Sequence, residues 1–400
     1  MTFGFLFSAK SKELRQIENN PARQNRLLIN NIDHYTDVLT VPRQSCSPNS
    51  KLDMNELPIP STDPTPIFEH FRGAHGTELL VAATCHFGLF DKLSEGPLAR
   101  GELKEALELK ERPFVVLTTA LRAVGLLEKD SEERFIATPL ALEHLPSNSD
   151  FAVNNYIGLA ADSPNVLAMV ERLRTNKPIG SETEEGAAFI FKEGKESKME
   201  GAEEARRLTL SLAGRAKNVA PHLAENHPLP NAKCLLDVAG GSGIYAIAYL
   251  RSNPELRAIV FDRPEVLKVA EEFAEEHQVT DRLQLMEGDM FADPLPSCDV
   301  ALLSNVLHDW DIPECETIVQ RCADAVNPGG EVLIHDVFLD DELDGPLPIA
   351  LYSASLFSLT KGRAYSAKEY RDMLTKAGLQ PGKVTPTLVH CGALPGCKNL

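Results

Sequence analysis

A histidine at position 308 follows the apolar run VALLSNVL and opens the sequence HDWD. Imidazole titrates near neutrality, with an unperturbed pKa of ~6.5, so a histidine beside a bound electrophile can take a proton from a hydroxyl group. A lone histidine is more often a structural or helix-capping residue. His308 falls just past a strand, on the edge where open α/β sheets bind ligands, and that place favours the role of base. Trp310 in the same segment reads either as a pocket wall or as packing beneath the loop.

A second group of residues points to what the histidine would work beside. CLLDVAGG, residues 234–241, reads as a short strand entering a glycine turn, and SGIYAIAYLRS continues as a helix. Such a turn lets backbone approach a ligand that side chains would exclude. Gly241 and Gly243, followed by Ala246, also fit the dinucleotide fingerprint, with Asp262 at the spacing of a ribose contact, so the turn alone does not separate NAD from S-adenosyl-L-methionine (AdoMet). Three features decide for AdoMet. Asp237, inside the strand before the glycines, suits a cationic amino-acid end and would repel a pyrophosphate. LQLMEGDMF ends a further strand in Asp289 and Met290, a carboxylate for an adenine amino group and an apolar side chain for the ring face. DVALLSNVLHDW and NPGGEVLIHDVF then supply a fourth and a fifth strand, the last introduced by a Pro-Gly-Gly turn after a helix. AdoMet carries an activated methyl group, so the protein's task is to align a nucleophile and remove its proton.

The elements that must position these residues divide the chain. Residues 1–60 mix polar runs with prolines and read as a flexible N-terminal extension, with Met54 as an alternative start. Residues 61–185 read as a winged-helix-like domain: a helix over 77–93, two shorter helices, and a hairpin in LLEKDSEERFIAT, then a helix over 154–174 and a polar stretch over 178–185. Residues 186–230 are linking helices, with a long one over 198–223 whose apolar stripe is Leu208, Leu212 and Val219. Residues 231–400, where strands alternate with helices, form an α/β, Rossmann-like AdoMet-binding domain.

Composition narrows the partners. The chain has 400 residues, 43% of them hydrophobic, and a formal charge of −18. That sign repels phosphate backbones and anionic membranes. Between residues 67 and 145, 9 basic residues face 13 acidic ones, and the third helix is almost wholly apolar apart from Arg112 and Arg122. The winged module is therefore expected to serve packing or dimerisation and not to bind nucleic acid. The 8 cysteines lack zinc-ligand spacing; Cys391 and Cys397 could pair, although a loop end is the simpler reading. No run reaches the ~20 apolar residues of a membrane span, and the start is too short for a signal peptide, so a cytoplasmic protein is expected. The acidic residues 340–344 read as a solvated turn, and no metal is expected.

Residues 67–385 resemble the small-molecule O-methyltransferases of the caffeic acid and acetylserotonin (hydroxyindole) type, most strongly in LLDVAGGSG, VFDRPEV, GDMF, LLSNVLHDWDIPEC, NPGGEVLIHDVF and GRAYSAKEYRDMLTKAGL. The resemblance implies an N-terminal domain that forms an intertwined homodimer and contributes to the partner's substrate pocket. It makes His308 the base, lays Gly240 and Gly241 along the cofactor and gives the ribose to Asp262. Asp289 and Met290 then frame adenine, and Ser304 offers its backbone carbonyl. Asp336 falls where plant members have a glutamate that orients the histidine, with His335 beside it structural. Tyr352 and Phe357 lie where the family builds its acceptor pocket. Ala364 replaces a second glutamate, leaving Tyr365 or Asp336 alone to hold the base. The implied activity is methylation of a hydroxyl on a small aromatic or conjugated acceptor. The alternatives are N- or C-methylation, a non-methylating reaction on the same scaffold, or an AdoMet-sensing regulator.

Overall fold

The computed structural model describes residues 57–177 and 201–399, and these described residues belong to one compact unit. The expectations for residues 1–56, for the polar stretch 178–185 and for the start of the long helix before Gly201 lie outside the described residues.

The first part is helical: α1 (Thr65–Arg72), α2 (Gly76–Val81), α3 (Leu89–Ser94), α4 (Arg100–Ala106) and α5 (Glu111–Ala123) precede the hairpin of β1 (Leu127–Lys129) and β2 (Phe135–Ala137). Then come α6 (Pro139–His144), α7 (Asn154–Ile157) and α8 (Pro164–Thr175). Two expected helices are interrupted. Over 77–93 a wide turn at Ala82–His86 and the left-handed Gly88, φ 56°, separate α2 from α3. Over 154–174 the chain breaks at Pro164, which cannot donate a backbone hydrogen bond and starts α8 instead.

A DNA-reading module would insert α5 into a groove. Here every residue from Arg112 to Leu121 is buried, so this stretch has no free face to offer.

The α/β part begins with α9 (Ala202–Asn226), then β3 (Cys234–Val238), α10 (Ile244–Ser252), β4 (Arg257–Asp262), α11 (Pro264–Glu276) and β5 (Leu283–Glu287). It continues through β6 (Cys298–Ser304), α12 (Ile312–Ala325), β7 (Val326–Leu339), α13 (Leu347–Leu359), β8 (Tyr365–Ser366) and α14 (Ala367–Lys376). The short β9 (Gln380–Pro381) and β10 (Thr385–Pro386) precede β11 (Cys391–Cys397). The main sheet runs β10-β11-β7-β6-β3-β4-β5, with β3 to β7 parallel and β11 antiparallel to β7. Buried Val, Leu and Ile along β3, β6 and β7 mark strands covered on both faces. The chain moves from β3 outward to β4 and β5, then returns to β6 on the other side of β3. That reversal opens a crevice at the carboxyl ends of β3 and β6, and the glycine turn and the HDWD segment both leave from there.

Three local expectations are corrected. The buried stripe of α9 consists of Ala205, Thr209, Ala213, Ala216, Val219 and Leu223, while Leu212 is 53% exposed. Small residues let α9 lie close on α10 and α11, which leaves Leu208 and Leu212 to face the crevice. The Pro-Gly-Gly turn is a bulge at the start of β7, where pairing with β6 jumps from Cys298–Val326 to Val300–Glu331. Cys391 and Cys397 stand at opposite ends of β11 and are both free thiols. No described helix is long and apolar enough to cross a membrane.

Arg112 ties the helical part to the site. Its Nε donates to Asn176 Oδ1 at 2.8 Å, and its Nη1 to the Thr360 and Gly362 carbonyls at 3.1 and 3.3 Å. Its guanidinium lies over the Phe357 ring. Arg112→Met keeps the bulk and orphans those oxygens. It should cost roughly 1.5–3 kcal/mol, the worth of hydrogen bonds to a charged group. Denaturant unfolding measures this, and an unchanged midpoint would contradict it.

Candidate active site

β6 and β7 are parallel neighbours paired at Ser304 and His335. This register brings the turn after β6 alongside the next residue of β7. In that turn, a single 3-10 turn over Leu307–Asp309, His308 is buried and donates from Nδ1 to Asp336 Oδ1 at 2.6 Å. The shorter Asp336 side chain therefore reaches the imidazole. Its Oδ1 also accepts the Val337 amide at 2.8 Å, and its Oδ2 accepts the Tyr370 hydroxyl at 3.1 Å. Burial alone would lower the His308 pKa, but the Asp336 and Asp309 carboxylates outweigh it and hold it above the ordinary imidazole value. Burial would raise Asp336, and His308 overrides that and holds it below the ordinary carboxylate value.

His335 points to the other face of β7. Its Nδ1 meets Ser304 Oγ at 2.8 Å and its Nε2 meets Thr387 Oγ1 at 3.1 Å. Burial, with Arg215 second, lowers its pKa to about 3, which keeps it neutral.

The segment around Ala364 behaves differently from what a glutamate there would do. Ala364 is buried, and its amide donates to Ser353 Oγ. Tyr365 does not reach His308. Its hydroxyl donates to the Trp310 carbonyl at 2.6 Å, so it holds the loop that carries the histidine. Gly362 touches the same loop so closely that a Cβ would lie 2.2 Å from the His308 carbonyl oxygen and 2.6 Å from the Trp310 nitrogen.

The cleft beside this pair is lined by Gly241, Asp262, Asp289, Met290, Asp309 and Trp310, among others, with Leu208 and Leu212 on one side. Asp262 Oδ2 accepts the Gly241 amide at 2.9 Å, and its Oδ1 accepts the Arg263 amide at 2.7 Å. Asp289 Oδ1 accepts the Phe291 amide. Trp310 packs edge-on against Phe291.

Beneath the turn, Asp237 is buried, and neither of its oxygens has a partner in hydrogen-bond geometry. Burial raises its pKa to about 7, offset in part by the Ala246 amide. Gly240 sits directly on this carboxylate, since a Cβ there would lie 2.7 Å from the Asp237 carboxyl carbon. Gly243 has φ 72° and begins α10. An orphaned carboxylate under a glycine cradle, with an acid at the end of β4 and another past the end of β5, fits a cofactor with a cationic amino-acid end, a ribose and an adenine.

Of the two aromatics assigned to an acceptor pocket, Tyr352 meets the His308 ring edge-on at 6.0 Å. Phe357 lies apart from the cleft, fully buried in the helical core beneath Arg112. Sequence reasoning passed over Tyr370, Asp309 and Asn305. All three stood inside the quoted motifs, but only the fold shows that Tyr370 supports Asp336 and that Asp309 and Asn305 line the cleft. Burial pushes Asp309 up to about 7, with His308 opposing.

The model of the O-methyltransferase domain family matches residues 186–380. A 3-hydroxy-5-methyl-1-naphthoate 3-O-methyltransferase from Streptomyces sahachiroi is 34% identical over 320 residues, 79% of this chain and 89% of that protein. Acetylserotonin O-methyltransferase from Bos taurus is 30% identical over 78% of this chain and 91% of its own length. The crystal structure of an O-methyltransferase family 2 protein from Planctomyces limnophilus in complex with apigenin is 47% identical. It superposes with a TM-score of 0.77 over 86% of this chain and 98% of that one.

Gly362→Ala should force the His308 loop outward and cost about 1–3 kcal/mol, as overpacking does. Thermal unfolding reads the loss, and an unchanged melting temperature would mean that the close approach is not a constraint.

Proposed function

The chain belongs to the O-methyltransferase domain family and is an AdoMet-dependent O-methyltransferase, and from that premise we propose that His308 is the general base acting on a hydroxyl of a small aromatic or conjugated acceptor. One observation carries the reading: the buried 2.6 Å hydrogen bond between His308 Nδ1 and Asp336 Oδ1. With Nδ1–H committed to a carboxylate, the free lone pair is on Nε2, and Nε2 takes the hydroxyl proton. Asp336 then stabilises the imidazolium that forms. Tyr370 keeps Asp336 in place, and Tyr365 and Gly362 keep the loop in place. Tyr352 forms a wall beside the imidazole. The name of the naphthoate relative and the apigenin bound to the Planctomyces protein support an aromatic acceptor.

AdoMet, when bound, supplies a methyl group already activated on sulfonium. In this reading Asp237 faces its ammonium end, and Gly240, Gly241 and Gly243 let the backbone lie against it. Asp262 holds the ribose, Asp289 and Met290 frame adenine, and the Ser304 carbonyl faces the cofactor. His308→Ala should leave AdoMet affinity intact and lower turnover by roughly 10²–10⁴. Calorimetry and single-turnover kinetics separate the two quantities, and unchanged turnover would remove His308 from the mechanism.

The winged-helix-like part is proposed as a homodimerisation module. Phe71, Tyr156 and Leu159 are 80%, 78% and 82% exposed, and large exposed apolar side chains mark interaction surfaces. Light scattering should give a dimer for the wild type and a monomer for Phe71→Asp combined with Leu159→Asp. A monomeric wild type would end this reading.

A further inference from the structure

Two arginines stand beside the reacting residues, and the chemistry above uses neither. Arg215 enters from α9. Its Nη2 donates to Asn305 Oδ1 at 2.5 Å and contacts Cys391 Sγ at 3.2 Å, while its Nε is buried without a partner. Arg72 enters from α1 and is buried. Its Nη1 donates to the Val389 carbonyl at 3.1 Å, and its guanidinium lies 4.3 Å from the centre of the Tyr352 ring. Tyr352 in turn abuts His308. The two cations are close enough that Arg215 joins burial in lowering the Arg72 pKa.

Neither arginine has a carboxylate partner among the described residues. Buried Arg363, by contrast, is paired with Glu369. The two nearby acids face the imidazole instead: Asp336 is bonded to His308 and Tyr370, and Asp309 Oδ1 lies 3.8 Å from His308 Nε2. Arg215 therefore spends donors on an amide oxygen and a thiol, both weaker acceptors than a carboxylate, and keeps others unused. Asn305, which it touches, lines the cleft three residues before His308.

We propose that Arg215, reinforced by the charge of Arg72, receives a carboxylate on the acceptor, so that hydroxylated aromatic acids are bound in preference to their uncharged counterparts. This rests on the acceptor-hydroxyl reading above and adds what holds the other end of the molecule. A planar guanidinium binds a carboxylate through two parallel hydrogen bonds, which fixes the ring's direction as well as its affinity. One anchored end leaves the hydroxyl a restricted set of positions to present to His308.

The test is binding, not turnover, so it fails independently of the base assignment. Hydroxylated benzoates and cinnamates and their primary amides are titrated by calorimetry into the wild type, Arg215→Met and Arg215→Lys, each saturated with S-adenosylhomocysteine. Wild type should bind acids roughly 10- to 100-fold more tightly than the matched amides, the worth of a charge-assisted hydrogen-bond pair. Arg215→Met should abolish that ratio, and Arg215→Lys should retain part of it. S-adenosylhomocysteine affinity, measured separately, should change by less than about threefold, because this reading gives Arg215 no contact with the cofactor. Wild type binding acids no more tightly than amides, or binding none of them, overturns the proposal without recourse to any variant. Loss of S-adenosylhomocysteine affinity in Arg215→Met with the acid-to-amide ratio unchanged also overturns it, and assigns the arginine to the cofactor's own carboxylate.

Discussion

The buried hydrogen bond between His308 and Asp336 depends on the pairing of two parallel strands. β6 ends at Ser304 and releases the turn that carries the histidine, while β7 continues past His335 and presents Asp336. A one-residue slip in that pairing would exchange Asp336 for His335 or Val337, because successive side chains on a strand face opposite ways. The strand cores hold the register: Leu302, Leu303, Leu333 and Ile334 are all buried. A carboxylate and an imidazole removed from water are costly unless their remaining hydrogen-bonding capacity is used. Here the Val337 amide and the Tyr370 hydroxyl use it on the aspartate side.

The rest of the site is organised around keeping that pair in place. Tyr365 grips the Trp310 carbonyl, Gly362 lies against the His308 carbonyl, and Arg112 gathers the Thr360 and Gly362 carbonyls from the helical part. The helices before residue 177 thus support the loop that backs the histidine. The glycine turn at the end of β3 and the acid at the end of β4 occupy the other side of the same crevice, over the orphaned carboxylate of Asp237.

Much of this was legible in the sequence because it is local. The strand, glycine turn and helix of residues 234–252, the Asp289-Met290 strand end and the hairpin after α5 each depend on neighbours in the chain. So does the place of His308 after an apolar strand. Less legible was whatever depends on which face of a helix is buried. Leu208 and Leu212 looked like the core stripe of α9, yet alanines occupy the core because α10 and α11 approach closely, and the leucines face the cleft. Phe357 looked like a pocket aromatic, but it faces the helical core. Backbone breaks at Gly88 and Pro164 overrode apolar patterns that ran across them. The loss of a glutamate at Ala364 left Tyr365 or Asp336 to hold the base, and Asp336 is the one that accepts its hydrogen bond. Tyr370, thirty-four residues from Asp336 in sequence, supplies support to the aspartate that no spacing rule would reveal.

The central claim is that a carboxylate-held imidazole removes the acceptor's proton, and the dependence of kcat on pH tests it most directly. The base must be neutral to act, so the rate rises as pH passes upward through its pKa. Asp336 and Asp309 together outweigh burial and hold that pKa above 6.5. Wild type should therefore show an acid limb with its midpoint above 6.5, and Asp336→Asn, which keeps the shape and removes the charge, should move that midpoint downward. A rate independent of pH across this range, or an acid limb that Asp336→Asn leaves in place, would contradict the account.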